Sequence, residues 1–203
     1  MRLLELFSGT GSVKKAVGHI FEEVISVDIL QKFNPTECCD ILKWDYKKYP
    51  VGYFSAIWAS PPCTEYSRIL YSRPDRLRDI SGANSIVAKT IEIIEYFNPE
   101  KWFIENPQTG LLKEQEILFG IPYVDVDYCK YGYKYKKRTR IWTNIDFEGK
   151  LCNKDCENIE NGKHKNALGN SNYKEIWNRG IEPRINQRYS IPPLLIQNLF
   201  GLL

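Results

Sequence analysis

Two short segments, each at the end of an apolar run, carry side chains that could do covalent chemistry. The segment Ser60-Pro61-Pro62-Cys63 ends the apolar run 53–60, and Glu105 lies at the end of the apolar run 101–106. Both runs predict buried strands, and open α/β sheets bind ligands at the carboxyl ends of their strands. The prolines stiffen the approach to Cys63, whose polar flanks indicate a reachable thiol. We therefore predict that Cys63 is a nucleophile.

Glu105 would complement a thiolate at Cys63 if the two strands are neighbours. A carboxyl group at the edge of an apolar core can hold or share a proton near neutral pH. A thiolate beside a proton donor suits attack on an electron-poor ring whose nitrogen must be protonated as negative charge develops. Cytosine is such a ring, so the pair predicts addition chemistry on that base.

The segment Phe7-Ser8-Gly9-Thr10-Gly11 follows a strand-like run and precedes a helix-like one. Glycines there let the backbone turn tightly and approach a ligand closely. Asp28 ends the second strand-like run about twenty residues on, where a carboxylate can accept hydrogen bonds from ribose hydroxyls. Together the two features predict an adenosine-containing cofactor. Taken singly, a structural turn and a surface acid remain the alternatives.

The elements that would position these residues alternate between strands and helices. Spacing and capping residues predict three helices. The first has Ser12 as its cap, the second covers 83–97 and ends at Asn98-Pro99, and the third is short and begins at Pro193. This succession predicts a doubly wound, mostly parallel α/β sheet. The predicted strands are 2–7, 24–28, 38–41, 53–60, 101–106, 123–129 and 139–144.

The 203 residues suit one compact domain, and 43% hydrophobic and 26% charged residues are typical of a globular protein. We divide the chain into a core over 1–144, a short irregular insertion over 145–186 and a C-terminal helix over 187–203 that returns to the core. No apolar run reaches membrane-spanning length, and the first glycine comes too early for a signal peptide. We therefore expect an intracellular protein, in a bacterial cytoplasm or in a host cell if viral, whose six cysteines are thiols, metal ligands or a nucleophile.

Basic residues concentrate in the segment 130–140, where Tyr131, Tyr133 and Tyr135 alternate with them. Such a pattern predicts contact with nucleic acid, with tyrosines for stacking and cations for phosphates. The alternatives are a solvated charged face and a strand that buries one tyrosine face. The cations are Lys130, Lys134, Lys136, Lys137, Arg138 and Arg140.

Cys152-x3-Cys156-x7-His164, with Cys129 as a candidate fourth ligand, has residue types and spacing that a small zinc site could use. Two cysteines four residues apart are equally natural as free thiols in a loop. The sequence therefore predicts a structural zinc ion in the insertion as one of two alternatives.

The ordered motifs resemble those of DNA cytosine-5 methyltransferases of the type found in bacteria and viruses, over nearly all of residues 1–145. The resemblance implies a Rossmann-like class I methyltransferase fold, S-adenosylmethionine as cofactor, and DNA as partner through a base flipped out of the stack. The matching segments are FSGTG (7–11), Asp28, Cys39-Asp40-Ile41, SPPC (60–63), IEN (104–106) and KKRTR (136–140).

The resemblance also implies individual roles. Cys63 would attack carbon 6 of cytosine, Glu105 would steady nitrogen 3, and Arg138 and Arg140 would position the flipped base and its phosphates. In the cofactor site, Asp28 would hold the ribose, while Ile29 would pack on adenine and Asp40 would meet its amino group. The implied cofactor-binding residues are Phe7, Ser8, Gly9, Gly11, Asp28, Ile29, Asp40, Ile41 and Pro61.

The chain departs from the family pattern at Thr64 and Lys136, where many members have glutamine, and at 189–193, which lacks the usual Gly-Asn pair. It is also shorter than members with long recognition domains, so sequence reading would fall to 145–186 and the loop 64–81. SPPC with the following Glu-Tyr-Ser-Arg-Ile (65–69) is also similar to the tRNA-modifying branch of the family, so a tRNA methyltransferase is one alternative. A catalytically idle cofactor- or DNA-binding module is another, although both Cys63 and Glu105 are present. An amino methyltransferase is disfavoured because Cys63 replaces its stacking aromatic. The recognition sequence, a restriction-modification role and the oligomeric state remain open.

Overall fold

A seven-stranded, mostly parallel sheet organises the fold in the computed structural model, which describes residues 1–72, 75–164 and 189–203. The strands lie in the order β3-β2-β1-β4-β5-β7-β6. This confirms the predicted α/β class. The strands are β1 (Arg2–Leu6), β2 (Glu23–Asp28), β3 (Glu37–Cys38), β4 (Ala56–Ala59), β5 (Lys101–Pro107), β6 (Tyr123–Asp127) and β7 (Arg138–Thr143).

Two features of the strand arrangement matter for a ligand site: a reversal of strand order and a reversal of strand direction. Strands β1 to β5 are all parallel, and the chain order reverses between β1 and β4. Such a switch point opens a crevice at the carboxyl ends of the strands. Strand β7 runs antiparallel to β5 and β6, so it begins at that same edge of the sheet.

Helices cover both faces of the sheet, as a parallel sheet requires. They are α1 (Ser12–Val17), α2 (Ile80–Phe97) and α3 (Pro193–Phe200). Strand alternation sends Leu4, Ile57 and Ile104 into the core beneath α2, whereas Leu3, Trp58 and Phe103 pack with α1 and α3 on the opposite face. No described helix is long and apolar enough to cross a membrane.

The loops contain several short 3-10 helices and one small hairpin. The hairpin consists of β8 (Ile159–Glu160) and β9 (Lys163–His164). The 3-10 helices are Gly18–Ile20, Gln31–Phe33, Ile41–Lys43, Tyr46–Lys48, Arg68–Ser72, Leu112–Glu114, Glu116–Leu118 and Tyr128–Tyr131. Residues 165–186 of the predicted insertion lie outside the described residues, so the predicted division of the chain stays a prediction.

Two local predictions were wrong. Ser12 does not cap α1: Gly11, at φ 68°, takes the cap position, and the Ser12 hydroxyl accepts a hydrogen bond from the Ile191 N–H at 3.2 Å. The third strand is shorter and earlier than 38–41, because Asp40 instead accepts a hydrogen bond from the Leu42 N–H and starts the 3-10 helix Ile41–Lys43.

The side chain of Glu5, in β1, binds the first turn of α1 and is 2% exposed. Its two oxygens accept hydrogen bonds from the N–H groups of Val13 and Lys14, each at 3.1 Å. They satisfy donors that no cap side chain reaches. Burial raises the pKa of the Glu5 carboxyl to about 7, against the opposing effect of these hydrogen bonds and nearby lysines.

We expect the free energy of unfolding to fall as the pH rises from about 5 to about 8. The raised pKa means that the folded chain holds this proton more tightly than the unfolded chain, whose carboxyl titrates near 4.5. The stabilisation is complete below that pH, is lost as the pH rises through about 7, and is on the order of 3 kcal/mol.

Urea unfolding at pH 5.5 and 8 measures this difference. Glu5→Gln keeps an accepting oxygen but cannot titrate, so most of the difference should disappear in that variant. Glu95→Gln, at an exposed position of α2, is the matched control and should behave like the wild type. Equal pH dependence in all three proteins would contradict the assignment to Glu5.

Candidate active site

The Cys63 and Glu105 segments lie side by side at the carboxyl edge of the sheet. Strands β4 and β5 are parallel neighbours, with Ala59 opposite Ile104. Beyond them the Asn106 side chain donates a hydrogen bond to the Pro61 carbonyl oxygen at 2.9 Å. The structure thus brings the two predicted segments together and joins them by a buried hydrogen bond.

The turn that carries Cys63 is anchored by Tyr66, whose side chain is fully buried. The Tyr66 hydroxyl donates to the Asn84 side chain on α2 at 2.9 Å, and its carbonyl accepts from the Leu111 N–H at the same distance. Anchoring on both sides holds the segment in place. Cys63 itself remains half-buried and is a free thiol, as a nucleophile must be.

Glu105 is buried, at 6% exposed, and two side chains of the described residues contact it. The Tyr128 hydroxyl donates a hydrogen bond to Glu105 Oε1 at 3.0 Å, and Lys137 Nζ lies 3.5 Å from the same oxygen. Burial holds the pKa of Tyr128 well above its ordinary value, so the hydroxyl stays protonated and remains a donor. The carboxyl therefore lies in a fixed position beside a hydrogen-bond donor and a cation.

The electrostatic environment of Cys63 has opposing contributions. Burial raises the pKa of the thiol, and the negative charge of Glu105 raises it further. The positive charge of Lys137 lowers it. Since the thiolate is the nucleophilic form, Lys137 favours the reactive state of Cys63.

The predicted cofactor turn lies at the switch point of the sheet. Phe7, Gly9 and Gly11 have φ values of 57°, 46° and 68°, and the Gly11 N–H donates to the Ser8 carbonyl at 2.7 Å. A residue other than glycine at positive φ, such as Phe7, has a strained backbone, which is typical of functional sites. The Ser60 N–H donates to the Leu6 carbonyl at 3.3 Å, which places this turn beside the Cys63 segment.

Asp28 fixes the shape of that turn. One carboxylate oxygen accepts from the Gly9 N–H and the other from the Leu30 N–H, both at 2.8 Å. Each oxygen keeps a second lone pair, so the carboxylate can still accept from a ribose hydroxyl. The glycine turn and the adjacent strand-end carboxylate fit the adenosine part of S-adenosylmethionine.

The remaining cofactor candidates surround this edge of the sheet. Ile29 follows Asp28 and is 65% exposed, so it can pack on a flat ring. Asp40 is half-buried and begins a 3-10 helix, while Ile41 and Pro61 are buried. Their roles in holding a cofactor stay predictions.

Arg138 and Arg140 contact carboxylates on the neighbouring strand β6. Each guanidinium makes two hydrogen bonds, Arg138 to Asp127 at 3.0 and 2.7 Å and Arg140 to Asp125 at 2.8 and 2.9 Å. The pairs are directly opposite each other in the antiparallel register. Among the described residues, Lys137 is the cation that contacts Glu105.

The tyrosines of the basic segment do not form the expected stacking surface. Tyr131 and Tyr135 are buried in the core that contains α1 and α3. Tyr133 is half-buried, and its hydroxyl hydrogen-bonds with Ser190 at 2.7 Å. The alternative of a buried tyrosine face is therefore correct, because apolar burial outweighs the exposure that stacking would need.

The four predicted metal ligands come together. One ligand atom from each of Cys129, Cys152, Cys156 and His164 lies within 4.8 Å of all the others, and Cys152 Sγ is 3.4 Å from His164 Nε2. A tetrahedral zinc ion with bonds of about 2.3 Å to sulfur sets ligand atoms about 3.8 Å apart. This Cys3His group could hold zinc.

Sequence reasoning missed the roles of Tyr128 and Lys137 at Glu105. Neither residue lies near Glu105 in the sequence, and only the fold brings them together. The arginine pairs did have a signal: Asp125 and Asp127 alternate on one predicted strand, and Arg138 and Arg140 alternate at the start of the next, with Arg138 just before its predicted bound. Two such strands joined as an antiparallel pair place opposite charges across from one another.

The chain is similar to a viral protein over its whole length. A curated relative from Frog virus 3 (isolate Goorha), "Probable DNA (cytosine-5)-methyltransferase", is 34% identical over 219 residues, which covers 100% of both chains. A comparison with protein-family models finds no match.

Two solved structures share the fold. A protein described as a DNA modification methyltransferase encoded within an E. coli prophage aligns with a TM-score of 0.52 at 17% identity, over 70% of this chain and 46% of its own. Entamoeba histolytica methyltransferase EhMeth aligns with a TM-score of 0.50 at 16% identity, over 75% and 55%. This chain thus matches about half the length of each. The fold agrees with the family of the full-length viral relative, and the chain belongs to the DNA (cytosine-5)-methyltransferase family.

Proposed function

We propose that this protein methylates carbon 5 of cytosine in DNA, with Cys63 as the covalent nucleophile. The observation that carries the proposal is the junction of β4 and β5, where the Asn106–Pro61 hydrogen bond holds the Cys63 turn against the strand that bears Glu105. DNA is the proposed substrate because the full-length viral relative is described as a DNA (cytosine-5)-methyltransferase.

S-adenosylmethionine supplies the methyl group. The turn Phe7–Gly11 and Asp28 would hold its adenosine part, with Ile29 beside the adenine, Asp40 at the adenine amino group, and Ile41 and Pro61 lining the site. The support is the positive φ of the turn and the free lone pairs of Asp28.

The chemistry of the chain's own residues begins with ionisation of Cys63. The thiolate donates an electron pair to carbon 6 of a cytosine flipped out of the stack, and a bond forms between Sγ and carbon 6. Electrons of the ring double bond shift toward nitrogen 3, which takes a proton from Glu105. Carbon 5 thereby gains the electron density that methylation needs.

Release reverses the addition. After methylation, carbon 5 loses its proton to a base, the ring double bond reforms and the bond between Sγ and carbon 6 breaks, which regenerates the thiolate. Glu105 takes back the proton from nitrogen 3. Arg138 and Arg140 would position the flipped base and its phosphates, while Asp127 and Asp125 hold their guanidinium groups in place.

The Cys3His group would hold one structural zinc ion. Four protein ligands complete a tetrahedral site and leave no open position for a substrate, as in structural zinc centres. The ion would join the segment 152–164 to the 3-10 helix Tyr128–Tyr131 that follows β6, where Cys129 lies. That segment adjoins the active edge, and the residues 145–186 are the proposed reading region for DNA.

The covalent mechanism predicts an adduct that can be trapped. Fluorine at carbon 5 replaces the proton that must leave, so DNA containing 5-fluorocytosine should become covalently attached to the wild-type protein in the presence of cofactor. Denaturing gel electrophoresis and mass spectrometry of the attached peptide measure it. Cys63→Ala should form no adduct, and Glu105→Gln should slow adduct formation by roughly a hundredfold or more.

Cys38→Ala, at an exposed cysteine, is the matched control and should form the adduct at the wild-type rate. Methylation of cytosine by Cys63→Ala, or an adduct through another cysteine, would overturn the mechanism.

For the cofactor, Asp28→Ala should weaken binding of S-adenosylmethionine by about 2–3 kcal/mol, which is about thirtyfold to more than a hundredfold. The variant loses the charged acceptor and the bond that shapes the turn at Gly9. Titration calorimetry measures the affinity, with Asp45→Ala, at an exposed loop position, as the control. Unchanged affinity in Asp28→Ala would exclude Asp28 from the site.

For the metal, elemental analysis of protein purified from zinc-containing medium should find about one zinc ion per chain. Cys152→Ser and Cys129→Ser each remove a ligand and should bring the content close to zero, while Cys38→Ser should keep it. Wild-type protein that is folded and active yet free of zinc after zinc is added would rule out the centre.

A further inference from the structure

Lys137 has its ammonium group in a confined position beside Glu105 and Tyr128. Its side chain is 15% exposed, Nζ lies 3.5 Å from Glu105 Oε1, and the same atom lies 4.7 Å from the centre of the Tyr128 ring. A largely buried ammonium group requires an anionic or polar partner. The Lys137 backbone carbonyl accepts a hydrogen bond from the Tyr128 N–H at 3.1 Å, so the backbone of Lys137 is also fixed beside Tyr128.

The two neighbouring arginines do not supply this charge. Successive residues of a strand point to opposite faces, so Arg138 and Arg140 share a face, and each binds an aspartate of β6 with two hydrogen bonds. Their charges are neutralised within those pairs. Lys137, immediately before β7, is the cation whose charge acts on both Glu105 and Cys63 among the described residues.

The charges that face Cys63 among the described residues are one anion and one cation: Glu105 from β5 and Lys137 from the segment before β7. Lys137 in turn faces Glu105 and the uncharged hydroxyl of Tyr128. One ammonium group balances one anion well and two anions poorly. Charge within the site is therefore best balanced if the proton that the Cys63 thiol loses moves to the Glu105 carboxylate.

We propose that Lys137 is the active-site cation that stabilises the Cys63 thiolate and so allows Glu105 to carry the proton that nitrogen 3 of the base receives. The inference rests on the proposed function, since it takes Cys63 as the nucleophile. In this step the Sγ–H bond of Cys63 breaks and the electron pair stays on sulfur. The released proton binds to a carboxylate oxygen of Glu105, so the total charge of the site does not change. The positive charge of Lys137 would then offset the negative charge on the sulfur while that charge moves onto the base.

The test measures the reactivity of the Cys63 thiol without DNA. Alkylation by iodoacetamide between pH 6 and 10, followed by mass spectrometry of the Cys63 peptide, reports the thiolate fraction at that residue and separates it from the other cysteines. In Lys137→Met, which keeps the apolar stem and removes the charge, the rate at pH 7.5 should fall about tenfold and the profile should move to higher pH.

Lys137→Arg keeps the charge and should keep the profile, and Lys137→Gln is a second neutral variant that should match Lys137→Met. Lys134→Met, at an exposed position of the same segment, is the control and should match the wild type. Cofactor affinity within twofold of the wild type in each variant shows that the site is folded. A residue that only packs would not move the pH profile.

An unchanged or faster alkylation profile in both neutral variants would overturn the role of Lys137. The adduct experiment with 5-fluorocytosine separates this failure from failure of the proposed function. If Cys63→Ala forms no adduct while the neutral Lys137 variants alkylate normally, the nucleophile stands and the cation does not. If Cys63→Ala still methylates DNA, the proposed function fails whatever the profile shows.

Discussion

A carboxyl group buried as deeply as Glu105 has to be paired, because an isolated carboxylate in such a place is costly. Its partners, Tyr128 and Lys137, come from the end of β6 and the start of β7. They reach the edge where Cys63 lies because β7 runs antiparallel to β5. The reversal of this one strand therefore completes the site that the parallel strands begin.

How much the sequence could predict depends on whether the signal was local. Three segments could be predicted from local sequence: the Cys63 segment, the Glu105 segment and the glycine turn that ends at Gly11. Each follows a strand-like apolar run and contains residue types suited to catalysis or to a tight turn. Tyr128 and Lys137 had no such signal, because their meaning arises only from the pairing of β5, β6 and β7. The alternating tyrosines misled for a related reason: alternation shows that one face differs from the other, and burial decides which face carries them.

The two proposed centres share a short stretch of backbone. Tyr128 contacts Glu105, and the next residue, Cys129, belongs to the Cys3His group. Asp127, just before them, binds Arg138 and accepts a hydrogen bond from the Cys152 N–H at 2.8 Å. Three consecutive residues thus link the Glu105 carboxyl, the sheet edge and the segment 152–164. A shift of one of these three residues would displace the other two, because protein interiors are close-packed.

Strand β6 is an edge of the sheet, and its outer side is covered by the chain that returns after β7. Gly149 lies so close that a Cβ atom there would be 2.4 Å from the Asp125 carbonyl oxygen, and the Asp127 N–H donates to the Lys150 carbonyl at 3.0 Å. An uncovered edge strand is a template for pairing with another molecule. We therefore expect the return segment to protect this edge from pairing with another molecule, and a truncation that removes it to favour aggregation even with Cys63 and Glu105 kept.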